Sequence, residues 1–182
     1  ADLETGQSEV LVTLGLLPQE WILAGQRLAW TTMQWIDEDY RTTLEVLDLV
    51  SGERRTLRET NGTLIGLGGT ANLLAWKEGS LQTWETGENE VHVFYLDGSG
   101  DIQQADGAEA LVSMDSDVLV GDGVLMWMDY REGPYRLAAF DLASQAEDLL
   151  TPEDAILGVY QPPTLSGDRL VWADHRGEDW DL

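Results

Sequence analysis

Two Asp-x-Arg corners, Asp129 with Arg131 and Asp174 with Arg176, are the groups in this chain whose types and spacing come closest to chemistry. A carboxylate beside a guanidinium can carry general acid or base work, and two such carboxylates could divide it between them. A tight hairpin needs the same residues: the carboxylate accepts backbone N–H groups and the arginine returns the charge. Each aspartate follows a tryptophan by two positions, Trp127 and Trp172. An active site breaks the symmetry of a repeat, and these corners follow it. No catalytic residue is assigned.

Other polar clusters raise further chemistry. Asp97, Ser99 and Asp101 set oxygen-bearing side chains at alternate positions, as a calcium loop does. The glycine and distant acidic residue that complete an EF-hand are missing, and the stretch fills the turn slot matched by Val50-Ser51-Gly52-Glu53. An ordinary hairpin is expected there. Asp115, Asp117 and Asp122 carry a signal of the same strength, so calcium is the one cofactor brought up and no firm metal site is assigned. Gly66-Leu67-Gly68-Gly69-Thr70-Ala71 imitates a dinucleotide fingerprint, yet it runs into the strand-like NLLAW where the motif needs a helix. His92 and His175 are too few for a three-histidine zinc site. Asn61-Gly62-Thr63 is a glycan acceptor sequon, meaningful on an export route.

The elements that must hold these groups repeat four times. GQRLAW, ANLLAW, DGVLMW and GDRLVW end at Trp30, Trp76, Trp127 and Trp172, at intervals of 46, 51 and 45 residues. A period of that length belongs to four-stranded propeller blades. After the first three tryptophans come strand-like runs closed by turns, LEVLDLVSGE, VHVFYLDGSGD and YRLAAFDLASQA. Further strands follow in RRTLRE and AEDLLTP. The expected fold is all-β: a single β-propeller domain over 1–182 with about four four-stranded blades. Their expected extents are about 22–60, 66–110, 117–156, and 163–182 joined by 1–14.

The last blade is expected to be shared between the terminal segments, because HRGEDWDL stops where a third strand begins and ADLETGQSEVLVT matches a turn and last strand. Three arrangements stay open: closure of the ring by its own ends, excision from a longer chain, and exchange of half-blades between subunits.

The four repeated tryptophans read as core between blades, each indole burying enough area for a few kcal/mol (~2–3). Trp21, Trp35, Trp84 and Trp180 fall outside the repeated slot and are the aromatic candidates for exposed contact. Trp35, Trp84 and Trp180 are carried forward as binding candidates, a glycan being one ligand they could stack upon.

Composition narrows the partners. The 182 residues hold 34 acidic against 10 basic side chains, a formal charge of -24 that repels phosphate backbones and anionic lipid. Nucleic acid and membrane insertion are therefore not expected, and no stretch reaches the roughly 18 apolar residues of a spanning helix. The absence of cysteine removes disulfides and thiolate chemistry.

Units three and four, with SGDRLVWADHRGEDWDL the clearest, resemble the TolB-like repeat, a relative of the WD repeat found on prokaryotic surface and exported proteins. Unit one departs with Asp37 and Asp39, and unit two with Lys77-Glu78, at the corner. The resemblance implies a propeller used for binding or as a scaffold, placed extracellularly, at the cell surface or in the periplasm. A protein partner, or self-association through the terminal strands, fits that use. The rival expectation is a propeller enzyme or the propeller domain of one, a peptidase or a polysaccharide-cleaving enzyme.

Overall fold

A computed structural model describes residues 10, 12–36, 39–79, 90–96, 102–104, 118–121, 123–129, 135–152, 154–155, 157, 163–166 and 169–174, with only the backbone described at 39, 90 and 102–104. The described elements are all strands, and the four repeats become consecutive antiparallel sheets. The first holds β1 (Pro18–Ala24), β2 (Arg27–Ile36), β3 (Asp39–Asp48) and β4 (Arg54–Asn61) in chain order. The second holds β5 (Thr63–Gly69), β6 (Leu73–Gly79), β7 (Glu90–Tyr95) and β8 (Ile102–Gln104), and the third β9 (Leu119–Val120), β10 (Val124–Asp129), β11 (Arg136–Asp141) and β12 (Ala146–Leu149). A hairpin of β13 (Thr164–Ser166) and β14 (Arg169–Val171) follows, with Leu157 bridging to Asp174 beside it.

The tryptophan strands β2, β6 and β10 are second in their sheets, and packing on both faces of β6 and β10 is why LLAW and VLMW run apolar without alternation. The sheets stack through their side chains. Trp76 of the second sheet packs in one cluster with Ala24, Ala29, Leu44 and Val46 of the first. Trp127 of the third packs with Leu73, Ala75, Val91 and Val93 of the second. Trp172 and Leu170 rest on Met128, Leu137 and Leu157. Trp76, Trp127 and Trp172 therefore each point toward the sheet before their own. Leu44 and Val46 lie on the opposite face of the first sheet from Trp30, whose cross-strand partners are Trp21 and Glu45.

The outer hairpins reuse one turn. Asp48 Oδ1 accepts the N–H groups of Val50 and Ser51 at 3.0 and 2.9 Å, and Asp141 Oδ1 accepts those of Ala143 and Ser144 at 3.0 and 2.7 Å. These bonds, Ser51 foremost for Asp48 and Ser144 for Asp141, hold both carboxyls below their ordinary values. The left-handed position of the turn is Gly52 in the first sheet (φ 73°) and Gln145 in the third (φ 55°).

The first sheet begins at Pro18, ahead of residue 22, and the second at Thr63, ahead of residue 66. Of residues 1–14, those described, Val10 and 12–14, belong to no strand.

Candidate functional site

Sheets one and two meet in a seam where polar side chains gather. β4 carries Arg58 on the face turned to the second sheet, because a bulge between Leu44 and Glu45 sets Arg58 opposite Leu44. β6 carries Glu78 two residues beyond Trp76, on the same face, and β7 places His92 opposite Trp76. The Arg58 guanidinium donates Nε–H to Glu78 Oε2 at 2.9 Å and Nη2–H to Oε1 at 2.7 Å. His92 Nε2 stands 3.6 Å from Glu78 Oε2, and its ring stacks on Trp76 at 5.9 Å between centroids. Burial alone would raise the Glu78 pKa. The Arg58 fork, the Thr60 hydroxyl and the charges of Arg58 and His92 outweigh it, and the carboxyl titrates below its ordinary value. An ionised carboxylate held this way cannot serve as a general acid; it ties two sheets together.

The glycine run lies deeper in the same seam. Glu20 of β1 reaches across, its Oε1 accepting Gly66 N–H at 2.9 Å and its Oε2 accepting Leu67 N–H at 2.7 Å. A protein carboxylate thus takes the amide pair that a dinucleotide phosphate would need. Gly68 and Gly69 are in the strand itself, and a Cβ on Gly68 would fall on the Val118 carbonyl oxygen of the third sheet.

Between sheets two and three the corner residues are buried. Asp129 lies two positions beyond Trp127 as Glu78 does beyond Trp76, and Lys77 points into the same interface from β6 beside Val91. Both are partnered. Asp174 is buried likewise and partnered, next to the Leu157 bridge. Arg131, Arg176 and His175 lie outside the described residues.

The repeated tryptophans are core. Trp30, Trp76 and Trp127 are each at most 1% exposed, and among the described residues none of their indole N–H groups meets a hydrogen-bond partner. Trp172 is partly buried against the third sheet. Trp35 differs: it is 59% exposed at the end of β2, with the Tyr40 ring edge-on at 4.7 Å across the hairpin. Trp35 and Tyr40 share the face of Leu44, four residues or roughly 13 Å further along β3, so they crown the seam above Arg58 and Glu78. Trp84 and Trp180 lie outside the described residues. Each stands eight positions after a repeated tryptophan, as does Tyr135 after Trp127, and Tyr135 is partly buried against the third-sheet core.

Asp97, Ser99 and Asp101 also lie outside the described residues, between β7 and β8, as do Asp115 and Asp117 ahead of β9 and Asp122 between β9 and β10. Among the described residues no group of three or more potential metal ligands is clustered. Asn61 is exposed at the end of β4, whereas Thr63 of the same sequon is buried and donates its hydroxyl to Gly79 O at 3.3 Å. The residues that sequence reasoning missed are Glu20, Arg58 and the exposed Leu17 and Leu23. Glu20 carried one available signal: it precedes Gly66 by 46 positions, the interval from Trp30 to Trp76.

No family model matches the chain, and no curated protein does. Solved structures do. TolB from Acinetobacter baumannii aligns with a TM-score of 0.66 at 13% identity, over 99% of this chain and 43% of that one. The β-propeller domain of the Trilobed protease from Pyrococcus furiosus, described as having an open velcro topology, aligns at 0.57 and 14% identity over 90% and 55%. A chain of the nidogen/laminin complex aligns at 0.54 and 21% identity over 84% and 54%. The fold is a β-propeller of the TolB-like kind, and the chain spans about half or less of the solved chains it matches.

Proposed function

We propose that this propeller is a non-catalytic binding or scaffold module that works outside the cytoplasm and meets a protein partner. One observation carries the reading. In the described seams the acidic groups suited to chemistry are engaged in holding sheets and turns, while large apolar side chains, Trp21 and Trp35 among them, stand in solvent on the first blade. Propellers host many functions, so the site decides. Shielded carboxylates argue for architecture, and exposed aromatic rings argue for contact. The nidogen/laminin complex supplies an example of a propeller-bearing chain in a protein assembly. An extracytoplasmic setting is supported by the acidic composition and the resemblance to exported proteins. No helix among the described residues is long and apolar enough to cross a membrane.

Glycan or peptide panels are expected to show no turnover with the purified chain. Turnover that disappears in Asp129→Asn or Asp174→Asn, with the fold intact by circular dichroism, overturns the reading. A second reading, the propeller domain of a peptidase, is favoured by the alignment to the Trilobed protease propeller and by a Mycobacterium tuberculosis puromycin-hydrolyzing peptidase of which the match covers 26%.

A further inference from the structure

The molecule states twice over what lies against the tryptophan-bearing face of a blade. Residues of the first strand that flank the tryptophan are buried by the preceding blade in the second and third sheets. Leu67 belongs to the cluster shared with the first sheet, and a Cβ on Gly69 would stand 3.3 Å from the Ala24 Cβ. In the third sheet Val118 is buried against the second, and Val120 packs beside it. Gly69, Val120 and Leu23 are equivalent: each stands opposite the leucine two positions before the repeated tryptophan, Leu74, Leu125 and Leu28.

In the first blade these slots are open. Trp21, directly opposite Trp30, is 68% exposed, and Leu23 is 58% exposed on the same face. Leu17, just ahead of β1, is exposed as well. Trp30 itself is shielded, with the Arg54 guanidinium 5.1 Å from its ring and tied to Glu45. An apolar strip along β1 remains in water.

A matching surface lies at the other end. Leu165, Leu170 and Trp172 face the third sheet, so Thr164, Arg169 and Val171 face away from it, and Val171 is half exposed. That is the side on which each earlier blade receives the tryptophan face of the next. The alignment on TolB uses 99% of this chain against 43% of the longer one, which sets these sheets along an arc of a larger ring.

We infer that the Trp21–Leu23 face of the first blade is the seat for the outer face of the β13–β14 blade of a second copy of this chain, joining copies head to tail. This inference rests on the non-catalytic binding reading and names its partner. The contact continues an interface that the chain already builds internally, and it is heterologous, using two different patches. With a charge of -24 on each copy, repulsion opposes it, and salt weakens that repulsion as the Debye length shrinks from about 8 Å to about 3 Å.

Multi-angle light scattering on the purified chain across concentration, in physiological and in about 1 M salt, tests the inference. The expected mass rises with concentration and more so in high salt. Trp21→Glu, Leu23→Glu and Val171→Glu, all at exposed positions, are each expected to run at the mass of one chain. A mixture of Trp21→Glu with Val171→Glu is expected to give twice that mass and stop there, since each variant keeps one intact face. A wild type at one-chain mass under every condition overturns the inference. So does unaltered assembly of Val171→Glu, which would mean that two first blades meet face to face, or of both first-blade variants. None of these results bears on turnover, so the non-catalytic reading stands or falls by its own assay.

Discussion

Arg58 and Glu78 close the seam between the first two blades through two N–H···O bonds of 2.9 and 2.7 Å, one from the Nε and one from the Nη2 of the same guanidinium. Glu78 is largely buried and Arg58 partly exposed, so loss of the carboxylate leaves a half-shielded cation and His92 without their anion. Glu78→Gln is expected to cost about 1–3 kcal/mol in urea unfolding, less than a fully buried pair would. The sign of the pH dependence is set by the lowered pKa. The contribution is complete above the ordinary value of 4.5 and fades as pH falls through the lower folded value. Asp48 and Asp141 act in the same direction from their ordinary 3.8. On acidification below 4.5 the wild type should therefore lose more of its neutral-pH stability than Glu78→Gln does, a difference that parallel urea curves would reveal; equal losses would refute it.

Gly68 has no room for a side chain, because Val118 at the edge of the third blade lies against it. Gly68→Ala drives a methyl group into the Val118 carbonyl and is expected to cost about 1–3 kcal/mol by forcing the strands apart. Gly15→Ala, where nothing stands within 4 Å, is the control and should stay within about 0.5 kcal/mol. Thermal midpoints of the two variants should separate clearly.

Gln145 carries a conformational penalty that Gly52 avoids in the same turn. The left-handed conformation costs a non-glycine residue about 1–2 kcal/mol, and glycine costs about 0.5–1 kcal/mol through the flexibility it adds to the unfolded chain. Gln145→Gly is expected to gain up to about 1 kcal/mol, read as a higher urea midpoint with an unchanged slope. A loss of stability would show that the Gln145 side chain has a role of its own.

Trp127 and Trp35 make opposite predictions. Trp127→Ala empties an inter-blade pocket and is expected to cost about 3–5 kcal/mol. Trp35→Ala removes a ring that is mostly in water and gives up an edge-on contact with Tyr40, so about 0.5–1 kcal/mol is expected, together with weaker capture of a protein partner. Stability loss at Trp35 as large as at Trp127 would place that ring in the fold rather than at a contact.

Much of this architecture could be read from residue order alone. The tryptophan period located β2, β6 and β10, and the Asp or Ser-Gly turns located the outer hairpins, because both signals are local and repeat. The first strand of each sheet is less legible: β1 starts at Pro18 and β5 at Thr63, and neither carries a marker residue like the repeated tryptophan. The Arg58–Glu78–His92 seam escaped for another reason. Arg58 is 20 positions from Glu78 and sits in another blade, and a bulge decides which way its side chain points. The glycines at 66–71 imitate a dinucleotide fingerprint that the following strand rules against, and the Glu20 carboxylate that takes the Gly66 and Leu67 amides comes from 46 positions away. Such pairings depend on how one sheet is laid against the next, which residue order does not express locally.

Lys77 is the chain's sole lysine, and it is sealed between the second and third blades. Amine-directed reagents, biotinylating esters and lysine crosslinkers alike, thus find no side chain to attack while those blades stay together. The ε-amine becomes a reporter of their separation, silent in the native protein and reactive only once that interface has parted.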